Sequence, residues 1–245
     1  LVELPGAKDV DRVQNLLQST AQLEFWETYK NDKLISFLIE ANTLIGKQIS
    51  SKITSVDNDE KDESSEIDDL LADVASQDSI VQTKNPILDR IVGQGFQGGP
   101  VLAQFNARDS DLIMGYLNQP EVRKLLPSEY RYIRFAWGKP LSEGSVVELF
   151  ALKSNRDNIA PLSGGVVVDA LQTFDQLGNP AVSMQMDSRG SRIWETMTGK
   201  AFKDASNIAI VLDEIVYSAP GVSSGAISGG RSEITGNFTL NEAID

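Results

Sequence analysis

The sequence of 245 residues contains no cysteine and no histidine. These absences exclude disulfides, thiol catalysis, zinc-finger sites and Ser-His catalytic triads, whatever the fold. No apolar run approaches the ~20 residues that a membrane-spanning helix needs, and no signal peptide is present. The chain begins at Leu1, in a segment with the pattern of a strand and without an initiator methionine. We therefore expect an excised soluble domain of a longer protein.

Basic residues are too few to balance the acidic ones, so the formal net charge is −13 and the sequence pI is about 4.5. Such a surface repels phosphate backbones, which argues against general nucleic-acid binding. Hydrophobic residues make up 41% of the chain. This fraction is enough for one large core or two small ones.

Two local patterns resemble ligand sites but fail on spacing. The acidic run that begins at Asp57 has Asp62 at the sixth position, where a calcium-binding EF-hand loop needs a glycine. Gly199-Lys200 lacks the earlier glycine and the following Ser or Thr of a phosphate-binding loop, and we interpret it as the end of a helix. No carboxylate pair stands out. We predict no catalytic residue, no metal site and no cofactor.

The two ends of the chain share one pattern. In residues 1–30, a strand that closes at Pro5-Gly6 is followed by a helix and then by an alternating strand. Residues 178–220 repeat the order strand, helix, strand. Two β-α-β units that each bury one helix face form a sheet with both helices on one side. The sequence therefore predicts an α+β fold whose base is a ferredoxin-like β-α-β/β-α-β sandwich.

The middle of the chain has the pattern of a large inserted α+β head subdomain. Two short helices meet near Gln119-Pro120, and YRYIRFAW and SVVELFALK are alternating strands joined by a turn-rich segment. Before them, NDKLISFLIEANTLIGKQIS is an amphipathic helix. Its apolar stripe holds Leu34, Phe37, Leu38, Ala41 and Ile45. We expect these elements to share a small core of their own.

The stretch YSAPGVSSGAISGGRSEITGNFT, residues 217–239, holds five glycines and one basic residue. Each glycine in regular structure costs roughly 0.5–1 kcal/mol relative to alanine, so a plain central strand is disfavoured. We predict a long irregular hairpin in which IVYSAP and RSEITG are the strands. Arg231 could bind an anion, but the many acidic residues favour a pairing with a carboxylate or with carbonyls of the sheet.

The segment IVLDEIVYSAPGVSSGAISGGRSEITGNFTLNEA resembles the signature of the SecD family of the bacterial protein-export machinery. The N-terminal LVELPGAKDVDRVQNLLQSTAQLEFWE and VVVDALQTFDQLGNPAVSMQMDSRGSRIWETMT are also similar to segments of that family, so the resemblance covers 1–30 and 160–245. Asp213-Glu214 replaces the family's Asp-Gly turn, and the long acidic middle does not align with the family pattern. The motif residues of the final stretch are Tyr217, Ser218, Ala219, Pro220, Gly229, Gly230, Arg231, Ile234, Thr235, Gly236, Phe238 and Thr239.

This resemblance implies the first large periplasmic domain of SecD or of a fused SecDF, at the periplasmic face of the bacterial inner membrane. It also implies partners: an unfolded preprotein and, through the full-length protein, SecF and the SecYEG channel with YajC. The family uses the proton-motive force to help pull preproteins, through acidic residues in membrane helices outside this chain. We place the base at 1–30 and 166–245 and the head at 31–165. The residues that contact a preprotein are not predicted.

The two chain crossings between base and head are candidate hinges, because two crossings allow rigid-body rotation if the interface is modest. The candidate hinge residues are Lys30, Asn31, Asp32, Lys33, Ile159, Ala160, Pro161, Gly164 and Gly165. An alternative is a substrate-binding porter domain of a related proton-driven efflux transporter, which would need a pocket for small amphipathic molecules. A third hypothesis, a carboxylate-based hydrolase, would need a cleft with two facing acids.

Overall fold

The computed structural model describes residues 22–56, 84–141, 145–174, 178 and 180–235. The predictions for residues 1–21, for the acidic run and for the motif residues Gly236, Phe238 and Thr239 lie outside these residues. Within the described ranges, no helix is long and apolar enough to cross a membrane.

The described elements mix helices and strands along the chain. The helices are α1 (Ile35–Val56), α2 (Ser110–Leu117), α3 (Pro120–Arg123) and α4 (Ser188–Asp204). The strands are β1 (Leu23–Glu27), β2 (Ile91–Gly93), β3 (Val101–Asn106), β4 (Arg134–Trp137), β5 (Val146–Leu152), β6 (Leu162–Ser163), β7 (Val167–Phe174), β8 (Pro180–Met186), β9 (Ile208–Leu212), β10 (Ile215–Ser218) and β11 (Arg231–Thr235).

These strands form three antiparallel sheets. Sheet A has the order β10-β9-β1-β6, sheet B has the order β2-β3-β5-β4, and sheet C has the order β11-β8-β7. Helices and antiparallel sheets therefore occur together in one chain, and the predicted α+β class is confirmed.

The first and last parts of the chain meet in sheet A. β1 pairs with β9 over its whole length, from Leu23 opposite Leu212 to Glu27 opposite Ile208. On its other edge β1 pairs with β6, with Phe25 opposite Leu162. The sequence prediction that the two ends close on each other is confirmed for these strands.

Sheet A is covered on both faces, because apolar side chains point both ways along its central strands. One face, with Phe25, Ile208 and Ile210, packs against Trp194 and Met197 of α4. The other face packs against sheet B through a buried apolar cluster, which we call the intersheet cluster. It consists of Trp26, Ala136, Phe150, Leu152, Ala209, Val211 and Val216.

A separate core lies between α1, α2, α3 and sheet B. The predicted stripe of α1 is buried in it, and Phe37 stacks on Phe135 of β4 with ring centroids 5.8 Å apart. The two short helices and the β4–β5 pair also form as predicted. The patterns of this region therefore identified α1, the two short helices and the β4–β5 pair, although the strand predicted for YRYIRFAW begins only at Arg134 and the strands β2 and β3 were not predicted.

Three local predictions about the second half differ from the structure. IVYSAP and RSEITG do not form a hairpin, because β10 pairs with β9 whereas β11 pairs with β8. The sequence predicted that the strands on either side of α4 share one sheet, but β8 lies in sheet C and β9 lies in sheet A. The helix does not end at Gly199 but continues to Asp204, and Gly199 instead allows Ala226 to approach closely.

One buried carboxylate joins distant segments. Glu27 of β1 forms ion pairs with Lys153, which follows β5, at 3.1 Å, and with Lys200 of α4 at 2.9 Å. The backbone carbonyl of Glu27 also accepts a hydrogen bond from the amide of Lys153. Glu27 thus connects the sheet B strand β5 to helix α4.

Candidate functional site

The motif residues Tyr217–Pro220 lie at the junction of sheets A and B. The register of β10 shifts between Val216 and Ser218, so Tyr217 is at a β-bulge. The carbonyl of Ala219 accepts a hydrogen bond from Asn207 Nδ2 at 2.8 Å. This segment forms one wall of a cleft of about 270 Å³, whose opposite wall includes residues 138–141.

Gly229 and Gly230 have a backbone conformation that other residues rarely adopt, with φ of 80° and 72°. A Cβ on Gly230 would overlap the hydroxyl of Ser191 in α4. The carbonyl of Gly230 accepts a hydrogen bond from the amide of Met186. The glycine pair is therefore required by a turn and a close approach. It is a structural element and not a phosphate-binding loop.

Arg231 begins β11 and its side chain is exposed. In the part of the chain that the structure describes, its guanidinium makes no hydrogen bond or ion pair. The predicted pairing with a carboxylate or carbonyls is therefore not observed there. Ile234 of the same strand is buried against α4.

The turn between β9 and β10 consists of Asp213 and Glu214, both of which have positive φ, 48° and 70°. A two-residue turn with this conformation favours Asn-Gly or Asp-Gly. Its geometry therefore matches the family's Asp-Gly turn, although this chain has glutamate at the second position. The carboxylate of Asp213 accepts a hydrogen bond from the amide of Gln22 at 3.0 Å.

The first candidate hinge is fixed at Asn31. Its side chain donates to the carbonyls of Phe96 and Val101 at 2.9 and 3.0 Å and accepts from the amide of Gly98 at 2.9 Å. Lys30, Asp32 and Lys33 flank this buried residue, and Asp32 and Lys33 are exposed. Asn31 therefore moves with the loop that connects β2 to β3.

The second candidate hinge has both exposed and packed residues. Ile159 is exposed and follows a turn in which Asn155 accepts hydrogen bonds from the amides of Asp157 and Ile159. Gly164 is packed, because a Cβ there would lie 2.7 Å from Cβ of Leu23. Ala160 packs against the intersheet cluster, whereas Pro161 and Gly165 are exposed.

An apolar groove runs beside α1, and we call it the α1 groove. It has a volume of about 540 Å³, and its lining includes Ile35, Ile39, Leu88, Ile91 and Leu102. Ile35 and Ile39 are 52% and 49% exposed, and Phe96 in the adjacent loop is 72% exposed. Among the described residues, no formally charged side chain lines the groove.

Sequence reasoning missed the α1 groove. Ile35 and Ile39 flank the buried stripe of a helix that was correctly predicted, but Phe96 and Ile91 come from a segment far along the chain. The available signal was the excess of apolar residues on α1, since a helix that packs on one side needs only one apolar stripe.

Comparison with known proteins gives two family models and a set of relatives. A model of the SecDF P1 head subdomain matches residues 152–245, and a model of the N-terminal part of the P1 domain of protein translocase subunit SecDF matches residues 1–30. The protein translocase subunit SecD of Rhodothermus marinus is 35% identical over 255 residues, which cover 100% of this chain and 38% of that protein. SecDF of Thermus thermophilus is 38% identical over 84 residues, 34% of this chain and 11% of that protein.

A solved structure of SecDF, described as a membrane component that enhances protein export, covers 99% of this chain with 20% identity. This chain covers 68% of it, and the TM-score is 0.38, which is too low to support an argument about the fold.

These matches define the class, because the relatives are named as subunits of protein translocases. The chain belongs to the SecD and SecDF family, and the matching models assign both of its ends to the P1 domain. The resemblance read from the sequence is confirmed. The chain spans little more than a third of the Rhodothermus protein that it matches over its full length.

The family model that matches residues 152–245 is that of a head subdomain, whereas the sequence analysis assigned residues 166–245 to the base. The structure pairs β6, from the predicted head segment, with β1 of the predicted base. The division into base and head with boundaries at 30 and 165 stays a prediction.

Proposed function

We propose that this chain is a periplasmic P1 domain that binds a translocating preprotein and helps to pull it from the SecYEG channel. The proton-motive force would act through membrane segments outside the chain, and the domain itself would be non-enzymatic. The naming of its relatives as protein translocase subunits favours export over the efflux alternative.

The α1 groove is the observation that carries this proposal. A preprotein in transit is unfolded and exposes apolar side chains that a folded protein would bury. A groove with exposed Ile35 and Ile39, next to the loop that carries exposed Phe96, offers apolar surface without a charged lining, although the chain has a net charge of −13. Uncharged apolar segments of many sequences can bind such a surface weakly and then be released.

A crosslinking experiment tests this assignment. A photoreactive residue at position 96 of the full-length protein is expected to crosslink to a stalled preprotein, because exposed Phe96 lies between Gly95 and Gln97, which line the α1 groove. The matched control is position 202, since Phe202 is also exposed but lies on α4. Equal crosslinking at the two positions would contradict the assignment.

The double substitution Ile39→Asp with Phe96→Asp is expected to weaken preprotein binding about thirtyfold, because each change removes roughly 1 kcal/mol of apolar contact and about 1.4 kcal/mol corresponds to tenfold. Binding of an unfolded apolar peptide, measured by fluorescence anisotropy, checks this result. Phe202→Asp is the control and is expected to leave binding unchanged. Unchanged binding in the double variant would reject the α1 groove as the contact surface.

We further propose that the two predicted hinge segments allow sheet B to rotate relative to sheet A across the intersheet cluster. Thr28 donates its amide to the carbonyl of Asn207 in front of β9, whereas the next amide, of Tyr29, donates to Ala151 of β5. The backbone thus changes partner from sheet A to sheet B between two consecutive residues. Rotation about Lys30 would have to separate sheets that share buried apolar side chains.

An engineered disulfide tests the hinge. Gly138 and Val216 are partners in a parallel bridge between the two sheets, and bridged residues have Cα atoms about 5 Å apart. Gly138→Cys with Val216→Cys is expected to slow preprotein export by the oxidised full-length protein in membrane vesicles, with recovery on reduction. Each single cysteine variant is the control. Export at the normal rate in the locked protein would contradict the hinge role.

A further inference from the structure

A second cleft, which we call the arginine cleft, is unusual for so acidic a chain. It has a volume of about 300 Å³ and lies between the segment before β4, the end of α2 and the turn after β5. Three arginines and three asparagines are among its lining residues, and no acidic side chain lines it within the described ranges. They are Arg123, Arg131, Arg134, Asn118, Asn155 and Asn158.

Among the described residues, one of these arginines has a close carboxylate partner. Arg134 forms an ion pair with Glu24 at 3.0 Å and also lies over the ring of Trp26. Arg123 instead donates to the carbonyls of Ile133 and Arg131, at 2.7 and 3.3 Å. In the described part of the chain, its positive charge has no acidic partner.

Arg123 is also partly buried. Its guanidinium lies over the ring of Phe135 at 5.6 Å, and burial lowers the pKa of Arg123. A cation that loses hydration without a counter-ion is held at an electrostatic cost. An anion in the cleft would offset that cost.

Arg131 is the most available donor. Its side chain is exposed, its guanidinium lies 6.0 Å from the ring centroid of Tyr132, and it forms no ion pair with any described residue. It therefore contributes a second unneutralised charge to the same cleft. Two such charges in one cleft attract an anionic ligand locally, against the net charge of −13 of the whole chain.

We propose that the arginine cleft binds a phosphate group, as a small organic phosphate or as the headgroup of an anionic phospholipid. Guanidinium groups match phosphate oxygens through paired N–H donors, which a lysine cannot reproduce. The volume exceeds what a bare phosphate ion fills and leaves room for a substituent of the size of glycerol. The side chain of Asn118, which is exposed at the cleft, supplies a further donor.

Titration of the 245-residue chain with glycerol 3-phosphate at low salt, followed by phosphorus NMR, tests this site. Arg131→Gln is expected to raise the dissociation constant about tenfold, because it removes a charge-assisted hydrogen bond, and the guanidinium otherwise contacts the exposed ring of Tyr132 at the surface. Arg131→Lys keeps the charge but not the paired donors, and an intermediate constant is expected. Arg189→Gln, an exposed change on α4 outside the cleft, is the control and should bind like the parent chain.

Two further arms identify the source of the phosphate. Inorganic phosphate that competes with glycerol 3-phosphate supports a free ligand. Binding to phosphatidylglycerol vesicles but not to phosphatidylcholine vesicles, with loss in Arg131→Gln, supports a lipid headgroup. Equal binding by Arg131→Gln and the parent chain would overturn the proposal. An equal loss in Arg189→Gln would also overturn it, because it would show that only net charge matters.

Discussion

Replacing Trp26 with alanine is expected to lower the free energy of unfolding by about 3–5 kcal/mol. Trp26 is fully buried in the intersheet cluster, where its neighbours come from both sheets. Its indole N–H donates to Glu24 at 2.8 Å, and Arg134 lies over its ring at 5.4 Å. Alanine would remove the apolar contact and the ring together, and the surrounding strands cannot close the cavity without moving.

Urea denaturation followed by circular dichroism measures this loss. Phe202→Ala is the matched control, because that ring is about half exposed on α4, and a loss below about 1 kcal/mol is expected there. Similar losses in the two variants would mean that sheets A and B are not held together through Trp26. If unfolding occurred in two separate transitions and the substitution shifted only one of them, sheets A and B would unfold independently.

The second large effect is expected for Asn31→Ala, with a loss of about 3 kcal/mol. The side chain of Asn31 satisfies the carbonyls of Phe96 and Val101 and the amide of Gly98. Each backbone group left without a partner costs about 1 kcal/mol or more when it is withdrawn from water. The change would also loosen the loop that carries Phe96, so peptide binding in the α1 groove should weaken as well.

Asn118→Ala controls for the loss of an amide side chain. Asn118 is exposed, and its side chain makes no hydrogen bond with a described residue, so a change within about 0.5 kcal/mol is expected. Thermal unfolding of both variants, together with peptide anisotropy, separates the two effects. If Asn31→Ala were as stable as the parent chain, the loop from Phe96 to Val101 would not depend on this side chain.

The sequence predicted elements well where a periodic pattern was long. The stripe of α1 identifies a buried face from spacing alone, and this face is buried as predicted. The alternation of β1 identified the strand but not its burial, because both of its faces are covered. Pairing was harder, because alternation shows that β10 and β11 are strands without showing their partners. β11 pairs with β8, to which no local turn connects it, and only tertiary packing decides such a pairing.

The candidate sites were less predictable than the fold for the same reason. The arginines of the arginine cleft come from α3 and from both sides of the start of β4, and their neighbours follow β5. The sequence gives no spacing signal for such a group. The glycine pair at Gly229-Gly230 was recognised as unusual, but its reason, the proximity of Ser191, required the structure.

Glu27 links segments that are distant from one another in the sequence through its carboxylate. Its carboxylate forms ion pairs with Lys153, which directly follows β5 of sheet B, and with Lys200 of helix α4. A tensile load on the segment after Lys153 would therefore be carried in parallel by the backbone and by this ionic contact, and part of it would reach α4 directly.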